Sequence, residues 1–262
     1  MKKTIISCVL FLTAVTAFSQ TPMKTAAEAK LSASDLAVKI ADRILATTTY
    51  EFKNTKTGKT YKSVKNLPLD MNVKVACKYN NWHYTNGVTH IALMELADKT
   101  GAKKYDDYVL KNMNFVFNEG NLDFFKKQYD QAMKNEGWYG VRKLSWHMIF
   151  RGKRLDDNGP MGASLIDLQM KHPNNSFLNY INETAEHLNY GEPRLADGTI
   201  ARIWPHENTI WADDAFMAIS FLARMAKMTG DMSYINDAAN QVINYHKYLW
   251  WPEKRILYHS YH

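Results

Sequence analysis

Two pairs of adjacent aspartates, Asp156-Asp157 and Asp213-Asp214, are the groups in this sequence best suited to acid/base chemistry. Each pair stands directly ahead of an apolar run, where a single aspartate is expected as a helix N-cap. Capping needs one side-chain oxygen, and doubling the residue adds nothing to it. Two carboxyls held close together raise each other's pKa, and a carboxyl kept protonated near neutral pH can serve as a general acid. Asp213 and Asp156 are therefore the candidate catalytic residues. Aromatic side chains accompany them: Trp211 two residues before Asp213, and Trp82 and Tyr84 in Trp82-His83-Tyr84. A tryptophan face beside carboxylates suits stacking on a pyranose ring, with rim packing as the plainer reading of both Trp82 and Trp211.

Other chemistries find less support. His206-Glu207 and the scattered histidines lack the spacing of metal ligands, so neither a metal nor a cofactor is expected. Asn158-Gly159-Pro160-Met161-Gly162 lacks the spacing of a phosphate loop or dinucleotide fingerprint, and there is no Gly-x-Ser-x-Gly elbow. His259 stands apart from these groups near the end of the chain.

The elements that would position the aspartates repeat. Trp82, Leu93, Ala97, Gly101 and Tyr105 recur as Trp211, Leu222, Ala226, Gly230 and Tyr234, all at an offset of 129 residues. Between them, Asp156, Leu165 and Phe177 match Asp213, Leu222 and Tyr234 at an offset of 57, with Pro173 in place of the glycine. Each unit reads as helix, tight turn, helix. Because Tyr84, Asp156 and Asp213 all precede the first helix of their unit, a ring of inner and outer helices would gather them at one mouth. Ahead of the repeats, Ser34 or Asp35 opens an amphipathic helix, and the stretch from Thr47 to Lys65 reads as an irregular loop. The stretch from Phe124 to Phe150 is an insertion with an aromatic helix of its own, carrying Trp138, Tyr139 and Trp146.

Residues 1–20 place two lysines before an apolar run and a small-residue stretch, which is the pattern of a secretory signal peptide. The run is shorter than the roughly 20 residues of a membrane span, and Cys8 is wrongly placed for a lipid anchor. An exported protein, periplasmic or secreted and without a membrane anchor, is expected. Loss of that segment leaves Cys77 alone, so stability must come from the core of the domain over residues 21–262. A 46% hydrophobic and 13% aromatic composition is ample for one. The net charge of +7 is spread along the chain, which suits an anionic substrate and argues against nucleic acid, for which a basic stripe would be needed.

The stretches from Asn81 to Tyr105, from Arg154 to Phe177 and from Thr209 to His259 resemble the unsaturated glucuronyl and rhamnogalacturonyl hydrolases, glycoside hydrolase families 105 and 88. The likeness rests on Leu155-Asp156 with Pro160 four residues on, on Trp211-Ala212-Asp213 before an apolar helix, and on Tyr258-His259, with His259 following Asp213 by 46 residues. It implies an all-α fold, an (α/α)6 barrel of helical hairpins, of which this chain supplies about three and a half hairpins. The implied activity is removal of a 4,5-unsaturated uronic acid from lyase-generated oligosaccharides. Asp213 would be the acid/base and Asp156 the second aspartate, while Trp211 would stack on the sugar and His259 would contact it. This chain has Asp214 where many members of the family have glycine. Two rival readings are a different enzyme on the same architecture, either an ordinary glycosidase or a polysaccharide lyase for which Trp82-His83-Tyr84 would supply part of the site, and a non-catalytic carbohydrate-binding remnant.

Overall fold

The structure, a computed structural model, describes residues 32–151 and 154–261. The signal peptide expected over residues 1–20 lies outside the described residues. The chain divides into two compact units, Met1–Lys39 and Ile40–His262. Within the first, the described residues open helix α1 (Ala33–Thr47). Ser32 Oγ accepts from the Asp35 amide at 3.1 Å and donates to the Asp35 carboxylate at 2.6 Å, while the Ser32 amide donates to the same carboxylate at 3.3 Å. This reciprocal cap starts the helix at Ser32, slightly ahead of the Ser34 or Asp35 expected.

The second unit is all-α apart from short strands. Three helical hairpins form it, at the positions the repeat predicts: α2 (Tyr84–Thr100) with α3 (Lys104–Val116), then, beyond helix α4 (Glu119–Val141), α5 (Leu155–Lys171) with α6 (Asn175–Glu186), and α7 (Ala212–Thr229) with α8 (Met232–Leu249). Helices α2 and α7 stop at Gly101 (φ 71°) and Gly230 (φ 75°), whose amides donate to the Ala97 and Ala226 carbonyls. That left-handed turn strains any residue with a Cβ, which explains the repeated glycine. Helix α5 ends differently, at Lys171. Pro173 holds the preceding His172 out of the helical region, at φ −139° and ψ 79°.

The first helix of each hairpin lies inward, and α2, α5 and α7 run side by side in parallel. Near their N-termini, Gly87 of α2 meets the Pro160 backbone of α5, and Gly159 of α5 meets the Met217 backbone of α7. Near their C-termini, Lys171 Nζ reaches Asp98 at 2.8 Å, and Arg224 Nε reaches Asp167 at 2.7 Å. The three N-termini thus share one end of the bundle. Helix α5, in the middle, buries Leu155, Met161, Leu165, Ile166 and Leu168, and the core continues through Phe177 and Phe221.

The stretch expected to be an irregular loop contains strands. β1 (Phe52–Asn54) pairs antiparallel with both β2 (Thr60–Tyr61) and β3 (Val73–Val75), burying Phe52, Val73 and Val75. Strands of two or three residues are too short to show an alternating pattern. The expected insertion opens earlier than Phe124, as α4, which breaks at Gly137 (φ 59°, ψ −151°), a conformation essentially restricted to glycine. The chain then passes through a 3-10 turn, His147–Ile149. Near the end, β4 (Ile210–Trp211) lies just ahead of α7, and β5 (Trp250–Trp251) follows α8 and pairs with β6 (Ile256–Leu257). The last strand, β7 (Ser260–Tyr261), returns to pair with β4. Among the described residues, no helix is long and apolar enough to cross a membrane.

Candidate active site

The aspartates are not caps. The N-cap residues of α5 and α7 are Arg154 and Trp211, neither of which makes a capping side-chain bond, and the Asp pairs occupy the first turn. There the positive ends of the parallel helices favour negative charge without using up the carboxylate oxygens.

Within each pair the two residues have divided their environments. The second member points inward and is clasped by an arginine. Arg151 Nε donates to Asp157 at 2.6 Å, and Arg202 donates to Asp214 through Nε at 2.7 Å and Nη2 at 2.6 Å. Burial pushes the Asp157 carboxyl up to about 6 against the pull of Arg151. Burial likewise lifts Asp214 above the ordinary carboxylate range, with Arg202 opposing.

The first member of each pair faces outward. Asp156 is bridged to Asp214 by the same Arg202, which donates to it through Nη1 at 3.0 Å and Nη2 at 2.7 Å. Burial alone would lower the Arg202 pKa, but its bonds to Asp214 and Asp156 raise it, so the guanidinium stays charged. Asp213 lies beside His259, with Oδ2 3.3 Å from Nε2 and both side chains substantially exposed. His259 is brought there by strand pairing: β7 lies on β4, and the Ala212 amide donates to the His259 carbonyl at 2.8 Å.

Tyr84 and Asp156 line a common cavity of about 660 Å³, together with His83, Trp138, Arg202 and Trp204. Asp213 is not part of that lining, so of the three residues expected at one mouth only Tyr84 and Asp156 share this cavity. The Trp211 ring carries the Arg202 guanidinium at 4.1 Å from its centroid and has the His259 ring at 5.2 Å. A second cavity, of about 420 Å³, shares Arg154, Asp156, Arg202 and Trp204 with the first and adds Asp214, His187 and Glu192. Glu192 Oε2 lies 2.6 Å from His187 Nε2, and its carboxyl is pushed up to about 7, first by burial and then by the negative charge of Asp214.

Trp82 is a correction. It is 0% exposed, its indole N–H donates to the Asp157 carbonyl at 2.8 Å, and its ring packs on Phe117, Trp146 and Tyr180. A ring in that position fixes α2 to α5 and has no face to offer a sugar, so the rim-packing alternative also gives way to a core role. The exposed tryptophans of the site are instead Trp204, 64% exposed, and Trp138.

Sequence reasoning also missed Arg202 and Glu192, which lie in the irregular stretch between α6 and α7 where no period marks a position. A signal was present in Arg202-Ile203-Trp204, a guanidinium next to an aromatic shortly before Asp213. Among the described residues there is no group of three or more His, Cys, Asp or Glu side chains arranged to hold a metal ion.

Comparison with known proteins bears on this arrangement. No curated protein matches the chain. Solved structures similar to it include a glycoside hydrolase from family 105 of C. acetobutylicum ATCC 824, at 21% identity and a TM-score of 0.55 over 86% of this chain and 48% of that one. Possible members of the GH105 family from Salmonella enterica serovar Paratyphi A (14% identity, TM-score 0.53) and Klebsiella pneumoniae (13%, 0.54) each align over 88% of this chain and 52% of their own. The chain spans about half the length of these structures, and the likeness shows their all-α, barrel-like fold. Residues 56–262 match the family model Glycosyl Hydrolase Family 88, and on that match the chain belongs to glycosyl hydrolase family 88.

Proposed function

We propose that this protein is a glycoside hydrolase that removes a 4,5-unsaturated uronic acid from the non-reducing end of anionic oligosaccharides. The observation that carries the reading is the pair Asp213 and Asp156. They stand in the first turns of parallel inner helices, released from capping, one beside His259 and the other fixed by Arg202. Asp213 donates its proton to C4 of the C4=C5 enol ether, which leaves positive charge on C5 shared with the ring oxygen. The resulting carboxylate takes a proton from water as the water oxygen bonds to C5. The hemiketal so formed opens by breaking the bond between C5 and the ring oxygen, which gives a ketone at C5 and a hemiacetal at C1; the hemiacetal then collapses to an aldehyde, its hydroxyl proton passing to the glycosidic oxygen as the remaining sugar leaves as an alcohol. Asp156 orients substrate or water, and Arg202 is a positioning residue that holds Asp156 in place. Trp211 and Tyr84 contribute aromatic surface to the sugar, and His259 contacts substrate or steadies Asp213. Because bond loss follows hydration of an alkene, the carboxylate-separation rule for retaining and inverting glycosidases does not apply.

A second reading, a polysaccharide lyase, is favoured by one feature: His83 and Tyr84 face the arginine-lined cavity together. Burial lowers the His83 pKa, with Asp156 pulling it back up, so the imidazole is neutral and able to accept a proton. The two readings give opposite signals in one assay. An unsaturated uronyl group absorbs in the ultraviolet, so the proposed hydrolase bleaches lyase-generated oligosaccharides, whereas a lyase acting on intact polysaccharide generates absorption. Bleaching is the expected result. A rise in absorption with intact polysaccharide, and none lost with the oligosaccharides, would overturn the reading in favour of the lyase.

A further inference from the structure

A carboxyl and an imidazole that the proposed reaction does not use are built into the wall of the smaller cavity, the one of about 420 Å³. His187 and Glu192 line it beside Asp156, Arg202 and Asp214. Their side chains are only 5% and 9% exposed, and Glu192 Oε2 lies 2.6 Å from His187 Nε2. A single π turn (His187–Gly191) directly after α6 brings them together, with the Glu192 amide donating to the His187 carbonyl at 2.8 Å across it. Such turns are rare and concentrate at functional sites. The turn needs glycine at 191, because a Cβ there would lie 2.5 Å from the His187 ring. Arg194 fixes it in place, donating to the Leu188 carbonyl at 3.0 Å and to Asp237 of α8 at 2.7 Å.

The charges around Glu192 explain why it keeps a proton. Asp214 of α7 and Asp156 of α5 disfavour a further negative charge, and Arg202 and Arg194 oppose them. Both guanidinium groups are already engaged, Arg202 with Asp214 and Asp156, and Arg194 with Asp237. Tyr245 of α8 is kept neutral by burial, its hydroxyl donating to the Ile200 carbonyl at 3.2 Å. Arg154, also on the cavity wall, is exposed to solvent, which screens it. No buried cation is left for a third carboxylate. The Glu192 carboxyl, pushed up to about 7 by burial and by Asp214, therefore holds its proton against His187, and the two titrate as a pair.

Resting on the proposed function, we infer that Glu192, paired with His187, is a positioning residue whose proton keeps Arg202 on Asp156, so that loss of the proton releases Asp156 and slows turnover. An ionised Glu192 is a third carboxylate competing for one guanidinium. Drawn toward Glu192 and Asp214, Arg202 gives up the bonds its Nη1 and Nη2 make to Asp156. Asp156 then no longer orients substrate or water. The pair itself touches no reacting atom.

Glu192→Gln tests the role, because the amide still donates to His187 and reproduces the neutral carboxyl at every pH. In the wild type, kcat should fall severalfold as pH rises from about 6 to about 8, and in Glu192→Gln that fall should move up by at least about one pH unit. Glu186→Gln, which removes a charge from the exposed face of α6 just before the turn, should keep the wild-type profile. A fall that stays in place in Glu192→Gln belongs to Asp213 losing its own proton, and one confined to KM is repulsion of the anionic substrate. Either result overturns the positioning role, as does loss of turnover at every pH in folded Glu192→Gln. Melting temperature gives a reading apart from turnover. The carboxyl is held above its ordinary 4.5, so the folded state binds the extra proton, and wild-type stability falls as pH rises from about 4.5 to about 7. Glu192→Gln lacks that loss, so its melting temperature should gain on the wild type across this interval and level off above it. A constant difference overturns the proton-holding pair whatever the ultraviolet assay shows. A rising difference in a protein that bleaches no unsaturated oligosaccharide would count against the proposed reaction alone.

Discussion

Asp213 and Asp214 are neighbours in sequence with opposite surroundings, and that contrast separates catalysis from stability. Asp213 is exposed and its neighbour His259 sits 3.3 Å away in solvent, so an amide in its place costs within about 1 kcal/mol of stability. Loss of its proton should cut turnover by about a hundredfold or more, the usual contribution of a positioned acid. Asp214 is 1% exposed and shares Arg202 with Asp156. Asp214→Asn leaves a buried guanidinium short of one charged partner, a change that costs about 3 kcal/mol. Thermal denaturation and turnover measured on both variants check the pair of expectations. Wild-type turnover in Asp213→Asn would remove it as the acid, and an unchanged melting temperature in Asp214→Asn would contradict the buried clasp. The sequence made the doubling visible, because two acids at one helix start exceed what a cap needs. It did not show which member faces outward, since that depends on arginines 6 and 12 residues away along the chain. Trp82 was misread for a related reason: a position two residues before a helix can turn either to the rim or to the core, and only its bond to the Asp157 carbonyl decides.

Between residues and site stand the inner helices, whose spacing is set by glycine. A Cβ at Gly159 would collide with the Met217 carbonyl of α7, and one at Gly87 with the Pro160 backbone of α5, both closer than real Cβ atoms approach. Gly159→Ala therefore forces α5 and α7 apart, at about 1–3 kcal/mol for an overpacked core. It also moves Asp156 relative to Asp213, which are carried on those two helices. Gly101→Ala is the comparison, because its φ of 71° costs about 1 kcal/mol in strain while nothing lies within 4 Å of the added carbon. Both variants should melt earlier, and only Gly159→Ala should lose turnover out of proportion to its folded fraction. Equal specific activity in the two folded variants would mean that helix spacing does not set the site. At this scale the sequence was most readable. Long helices with repeated stops at Gly101, Pro173 and Gly230 announce themselves by period and offset. The strands β1 to β4 and β7 do not, and so the means by which His259 reaches Asp213, a pairing two residues long, could not be read from the pattern.

The whole molecule carries a formal charge of +7, and the cavity concentrates positive charge at one end of the inner helices, where the helix N-termini add to it. A low-dielectric cleft lined by arginine focuses its field outward and draws an anionic oligosaccharide toward the mouth before any contact forms. Salt shortens the reach of that field, from about 30 Å at 0.01 M to about 8 Å at 0.15 M. Once substrate is bound, the same groups lie within direct contact and are screened much less. Raising the ionic strength over this range should therefore raise KM severalfold while leaving kcat nearly constant, and the effect should be smaller for a singly charged oligosaccharide than for a doubly charged one. Steady-state bleaching at several salt concentrations, with a neutral osmolyte as control for water activity, reads both constants. A KM indifferent to salt would mean that the arginines are neutralised within the protein and contribute no steering. A kcat that falls with KM held constant would instead assign the salt effect to the reacting groups Asp213 and Asp156.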